Sequence, residues 1–253
     1  MNPLRCGKRR FLLMISMAGS LVAKTALAAT MIVTGGGNLT EGSGKVSEET
    51  RSVSGYSRLV LSGPMDVQLK HTGAEKVVVR ADDNIVPLID TRVEGGKLIV
   101  ETKQGASFRT RNKILVLVDF KQIDAVLLHG SGDVLADDIK AGIFEGTIKG
   151  SGNMKIGKLD ADTVAISIAG SGNFDARGRA GKIGLVIEGS GDVHVEDLQA
   201  KSAAVRIAGS GDALVIASES LQARITGSGD VRYRGNPQVE KKVEGSGSVT
   251  PMH

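Results

Sequence analysis

The chain has 253 residues, with 32 basic and 28 acidic side chains, one cysteine, no tryptophan and 34 glycines. Five of the bases (Arg5, Lys8, Arg9, Arg10 and Lys24) lie in residues 1–28, which hold no acid, so residues 29–253 carry 27 bases against 28 acids, a net of −1. That balance excludes nucleic-acid binding, which needs a surplus of Lys and Arg, and with Cys6 as the sole thiol it excludes disulfides and thiolate metal sites beyond residue 28.

Residues 1–28 read as a secretory signal peptide: a basic start, an apolar stretch from Phe11 to Ala23, and small residues at Ala26 and Ala28 for cleavage after Ala28. The stretch is short of the roughly 20 residues needed to span a bilayer. Arg9-Arg10-Phe11-Leu12 and Lys24 share features with a twin-arginine signal but lack its spacer, so the ordinary secretory route is the reading. The expectation is export to the periplasm or surface of a bacterium, with no transmembrane anchor after cleavage. Residues 29–50, rich in Gly, Ser, Thr and Glu, read as a flexible leader.

Residues 51–120 read as irregular β structure, with strands at Tyr56–Leu61, Met65–His71, Val77–Arg80 and Ile114–Asp119. Thr91–Glu94, Gly95-Gly96 and Leu98–Thr102 form a hairpin pattern. Ser62-Gly63-Pro64-Met65-Asp66-Val67 is a degenerate copy of a turn that dominates the rest of the chain.

That turn is Gly-Ser-Gly followed by Asp or Asn. It occurs at Gly130–Asp133, Gly150–Asn153, Gly170–Asn173, Gly189–Asp192, Gly209–Asp212 and Gly227–Asp230, with a last copy at Gly245–Ser248, in steps of 18 to 20 residues. Two residues before each first glycine stand Leu128, Ile148, Ile168, Ile187, Ile207, Ile225 and Val243. Four after it stand Val134, Met154, Phe174, Val193, Ala213, Val231 and Val249. Between them the pattern alternates with period two, so each repeat of 121–249 holds two short strands joined by the turn. Residues recurring at one place stack into ladders about 4.8 Å apart, and the ladders are the core. The fold class is therefore all-β, a parallel β-helix or β-solenoid of about 18–20 residues per coil, with residues 250–253 as a tail.

The turn residues are structural candidates. The glycines permit a sharp corner, and the Asp or Asn side chains hydrogen-bond the turn backbone. Asn153 over Asn173 can form an amide ladder. Asp192, Asp212 and Asp230 place like charges one coil apart, so they face solvent or share a cation. Calcium wants six to eight oxygens and one Asp per coil offers few, so a calcium-stabilised adhesin is only an alternative and no cofactor is expected. No catalytic residue is found. His71, His129, His194 and His253 are not spaced as zinc ligands. Asp137, Asp138, Asp160 and Asp162 fall at corners where solvated charge is ordinary, and Phe174 and Tyr233 at core positions, which leaves a polysaccharide-active enzyme as a further alternative. The role that remains is binding or scaffolding at the envelope or cell surface, with a protein or glycan partner and possible homo-oligomers.

Several of these segments together resemble one family. Gly55–Gly63, Ala81-Asp82-Asp83-Asn84-Ile85-Val86-Pro87, the Gly-Ser-Gly-Asp series and Tyr233-Arg234-Gly235-Asn236-Pro237 are similar to the bacterial "putative auto-transporter adhesin, head GIN domain" proteins, a domain of unknown function. The resemblance covers Ser54 to Val249. It implies a right-handed parallel β-helix-like fold in an exported or envelope protein, and it implies no catalytic residue.

Overall fold

The structure, a computed structural model, describes residues 39–252. The signal peptide expected over 1–28, the leader up to residue 38 and His253 lie outside the described residues. From there on the chain is a β-solenoid of about six turns. Leu61, Leu128, Ile148, Ile168, Ile187, Ile207, Ile225 and Val243 form one inward column, each paired in parallel register with the next. All but the terminal Val243 are buried. Phe120, Phe144 and Phe174 are the largest fully buried side chains, which fits a core with few rings.

In the middle coils the strands are longer than expected. Val134–Gly150, Met154–Gly170, Phe174–Gly189 and Val193–Gly209 pair almost continuously from turn to turn, where two short strands per repeat were expected. A stacked parallel coil keeps its hydrogen bonds through a bend because its neighbour bends with it.

The Gly-Ser-Gly corner is a steric requirement. Gly170 has φ +138°, a conformation that L side chains rarely adopt. A Cβ on Gly172 would stand 2.0 Å from the carbonyl oxygen of Gly152, its counterpart one coil back. The first copy shows the converse. Gly63 pairs with Gly130, so Met65 occupies the place that glycine holds in later turns. Met65 is tolerated because no Gly-Ser-Gly corner precedes it, the chain between Thr102 and Leu115 running elsewhere.

The N-terminal end reverses the chain order. Lys97–Thr102 and Leu115–Phe120 pair in parallel with Arg58–Gly63 and Asp66–His71, on the side opposite the regular coils. The chain thus adds an outer coil before crossing back to continue the stack at Ala125. Antiparallel strands close this end: Ile89–Glu94 on Lys97–Thr102, and Lys76–Asp82 on Leu115–Phe120.

The flexible leader is corrected for residues 39–50. Leu39–Glu41 pairs with Ser107–Arg109, and Val46–Arg51 lies antiparallel to Lys76–Asp82. Their polar composition reflects an edge with a solvated face, and polar side chains hold it. Ser43 donates from its hydroxyl to Asp83 at 2.6 Å and from its N–H to Asn84 Oδ1 at 2.9 Å, while Asn84 Nδ2 donates to Glu41 O at 2.7 Å. Beside them, Asp82 is buried and accepts from Thr110 Oγ1 at 2.6 Å and Asn112 Nδ2 at 2.5 Å. The Thr110 and Asn112 bonds hold the Asp82 carboxyl below its ordinary range. A depressed carboxylate contributes stability that is present above its unfolded-state pKa and lost as pH falls through the folded value. The protection of residues 39–45 against amide exchange, taken relative to the intrinsic rate at each pH, should therefore fall on acidification, and Asp82→Ala should show the low protection already at neutral pH.

The tail is corrected too, since Val249–Pro251 is a strand. At this end Lys241 stands in an inward column whose earlier members are Leu59, Val126, Gly146, Ile166, Leu185, Val205 and Ala223. Its Nζ donates across the coil to Val249 O at 3.3 Å. An inward charge on an edge strand obstructs further pairing. Two copies meeting antiparallel with inward faces matched would oppose Glu240 to Glu240, Lys241 to Lys241 or Lys242 to Lys242, depending on register. Lys241→Leu should thus increase self-association at this end, read by sedimentation velocity against the parent protein.

Candidate functional site

Two features of the coils bear on function: the corner occupied by the Asp and Asn residues, and a groove along another corner.

At the first, each side-chain oxygen accepts the backbone N–H of its counterpart one coil on. Asp66 accepts from Asp133 at 3.1 Å, Asp133 from Asn153 at 2.8 Å, Asn153 from Asn173 at 3.1 Å and Asn173 from Asp192 at 3.0 Å. Asp192, Asp212 and Asp230 accept in turn from Asp212, Asp230 and Ser248, each at 2.8 Å. The two amides add a second bond, Asn153 Nδ2 to Asp133 at 2.9 Å and Asn173 Nδ2 to Asn153 at 3.1 Å. Gly130, Gly150, Gly170, Gly189, Gly209 and Gly227 turn the chain beneath this ladder. One Oδ1 per residue is thus taken up in joining coils.

The groove runs along the corner after the second face of each coil. Ala141, Ala161, Ala180 and Ala200 stack in register as its floor. Methyl groups beside the longer side chains of the Lys140, Asp160 and Arg179 column leave a cavity of about 840 Å³, bordered also by His71, Lys121 and Asp162. A second cavity of about 540 Å³ shares Arg179, Ala180 and Lys201 and continues past Ile216, Ala217 and Gly235. The groove is polar and charged at one end and mainly apolar at the other.

Its charges are partly paired. Asp160 lies 3.5 Å from Arg179 Nε and 3.6 Å from Lys158 Nζ, and Lys121 lies 3.5 Å from Glu75. Lys140 and Lys201 form no ion pair among the described residues. His71 stacks on Phe120 at a ring-centroid distance of 5.4 Å and lies 4.0 Å from Asp138. The surface suits contact with a ligand that extends along several coils.

The sequence placed Asp160 and Asp162 at solvated corners, and the structure brings both to the groove. The sequence read His194 only as not spaced for a zinc site, and in the structure Asp175 Oδ1 lies 3.2 Å from His194 Nδ1. The signal was the repeat itself, because the two are 19 residues apart, one coil. Phe174 is buried as expected, whereas Tyr233 is half-buried near the open end. Among the described residues no group of three or more His, Cys, Asp or Glu side chains is placed to hold a metal. Nor is any helix long and apolar enough to cross a membrane.

No curated protein matches the chain. Solved structures do. A "putative adhesin" from Bacteroides fragilis aligns with a TM-score of 0.79 at 20% identity, over 84% of this chain and 99% of that one. A "putative adhesin" from Parabacteroides distasonis aligns at 0.70 and 25% identity, over 85% and 100%. A "putative lipid binding protein" from the same species aligns at 0.70 and 26% identity, over 84% and 99%. The family model described as "putative auto-transporter adhesin, head GIN domain" matches residues 55–237, and the chain belongs to that family.

Proposed function

We propose that this protein is an exported, non-catalytic binding module of the bacterial envelope, which holds an extended ligand along the alanine-floored groove. The observation that carries the reading is the groove itself: it crosses successive coils, is floored by small side chains in register, and is bordered by separate charges rather than by a nucleophile held against a base. The family and its solved relatives, named as adhesins or a lipid-binding protein, support a binding role. Export rests on the signal pattern of residues 1–28.

The test is a panel of envelope glycans and lipids probed with the cleaved protein and with Ala161→Trp, which fills the groove. A ligand of the parent protein should bind the variant at least tenfold more weakly, with Glu188→Lys, on another face, as the unaffected control. Binding that survives Ala161→Trp unchanged would remove the groove from the account, and a protein of full precursor mass in the cytosol would remove export.

Under this reading the carboxylate corner joins coils and needs no cation. Replacing Asp192, Asp212 and Asp230 together by Asn should then preserve or raise stability. It relieves two like-charge neighbours, each worth roughly 1 kcal/mol in water, and adds amide bonds like those of Asn153 and Asn173. Millimolar Ca²⁺ should move the melting temperature of the parent protein little. A large calcium-dependent rise abolished in the triple variant would instead assign this corner to a calcium-stabilised adhesin.

A further inference from the structure

We infer that Arg206, Arg224 and Lys242 form an anion-binding ladder for an extended acidic polysaccharide, on a face that shares no residue with the groove. The three are direct Cα partners on successive coils, all outward and exposed. Neighbouring coils hold them about 4.8 Å apart.

On the regular coils from Ala125 onward, the other stacked charges of the strands meet with opposite sign. Asp138 pairs with Lys158, Lys155 with Asp175, Arg177 with Asp197, and Asp160 lies between Lys140 and Arg179. No other outward strand column among the described coils carries three like charges in succession. The carboxylate corner differs because each oxygen there accepts a backbone N–H. Two neighbouring guanidinium groups repel each other, and among the described residues Arg206 and Arg224 have no acidic partner within ion-pair distance. Only Lys242 is paired, to Glu244 at 2.7 Å on its own strand. Packing does not require cations here, since the same column holds Leu127, Thr147, Ser167 and Val186 in earlier coils.

The surroundings leave room for a chain lying along the column. Arg206 and Arg224 border a shallow depression of about 210 Å³ beside Gly184 and Ala204, and another of about 180 Å³ that reaches Thr226 and Lys242. Beyond Val186, Ser167 and Thr147 extend the line with hydroxyls. Evenly spaced cations, with hydroxyls farther along the same line, match a polymer that presents a carboxylate at regular intervals among sugar hydroxyls. Guanidinium groups bind carboxylates with paired hydrogen bonds. A lipid surface would also attract the cations, but the only apolar side chain adjoining them in this column is the short Val186, and no aromatic ring stands there to enter a bilayer.

The test uses the protein cleaved after Ala28 and three immobilised probes: polygalacturonate, neutral dextran and phosphatidylglycerol vesicles. Polygalacturonate should bind and dextran should not, with affinity falling as salt is raised. Arg206→Glu/Arg224→Glu should weaken it at least tenfold with an unchanged melting curve. Ala204→Glu, which keeps both arginines but sets a carboxylate beside them, should also weaken it. Ala161→Trp should leave it intact, so failure of the groove and failure of the ladder are separable. Absent polygalacturonate binding, binding indifferent to both ladder variants, or preference for the vesicles would overturn the assignment.

Discussion

Ile187→Asp should lower stability by more than about 4 kcal/mol and abolish cooperative unfolding of the middle coils. Ile187 is fully buried and pairs in register with Ile168 on one side and Ile207 on the other. A carboxylate there meets aliphatic side chains above and below, without a hydrogen-bond donor or counter-charge, and burying an unpaired charge is among the most expensive substitutions known. In a solenoid the damage spreads, because each coil is stabilised chiefly by its two neighbours. Glu188→Lys, one residue along, points outward between Ala169 and Ala208 and should shift stability by less than about 0.5 kcal/mol. Thermal melts followed by circular dichroism decide it, and equal midpoints for the two variants would contradict the inward column.

The second large effect concerns a single methyl group. Gly172→Ala should cost about 3 kcal/mol, while Ser171→Ala, its exposed neighbour, should cost almost nothing. The added Cβ would stand 2.0 Å from Gly152 O, 2.8 Å from the Ile148 side chain and 3.1 Å from Gly152 C. Ile148 can adjust, but the carbonyl is fixed by coil stacking, since Gly150 O accepts the N–H groups of Ser171 and Gly172 at 2.9 and 3.2 Å. Relief requires the two corners to separate, which weakens those bonds together with the Asn153–Asn173 pair. Denaturant unfolding of the two variants measures the difference. A well-tolerated Gly172→Ala would show that the corners stack less closely than described.

Where the repeat is regular, the fold was legible in the sequence. A residue recurring every 18 to 20 positions stacks on its own copies, so the column from Leu128 to Val243 and the Gly-Ser-Gly corner followed from spacing alone. Legibility ended where the period did. Nothing along the chain announces that Lys97–Thr102 packs outside Arg58–Gly63 while Ala125–Gly130 packs on its other side, because strand order is set by three-dimensional pairing. The strands at Leu39–Glu41 and Val46–Arg51 were hidden by polar composition, their order coming in part from Asp83 and Asn84, 40 to 43 positions from the residues they bond. The groove was missed for a different reason. Alanine at Ala141, Ala161, Ala180 and Ala200 reads as a filler along each strand, and only stacked does it become a floor. His194–Asp175 and Arg179–Asp160 were likewise invisible to a search for partners a few residues apart, since their partners lie one coil back.

The stacking of one coil per repeat underlies the core, the corner, the groove and the cation ladder alike, and distances between spin labels measure it directly. Cys6 precedes the expected cleavage site, so single cysteines can be introduced into the cleaved protein without competition. Labels at Ser131 paired in turn with Ser190, Ser210 and Ser228 sit at the same exposed turn position three, four and five coils apart. The account predicts distances that lengthen in equal steps of about 4.8 Å per coil. Unequal steps, or a Ser131–Ser228 distance no longer than Ser131–Ser190, would contradict it.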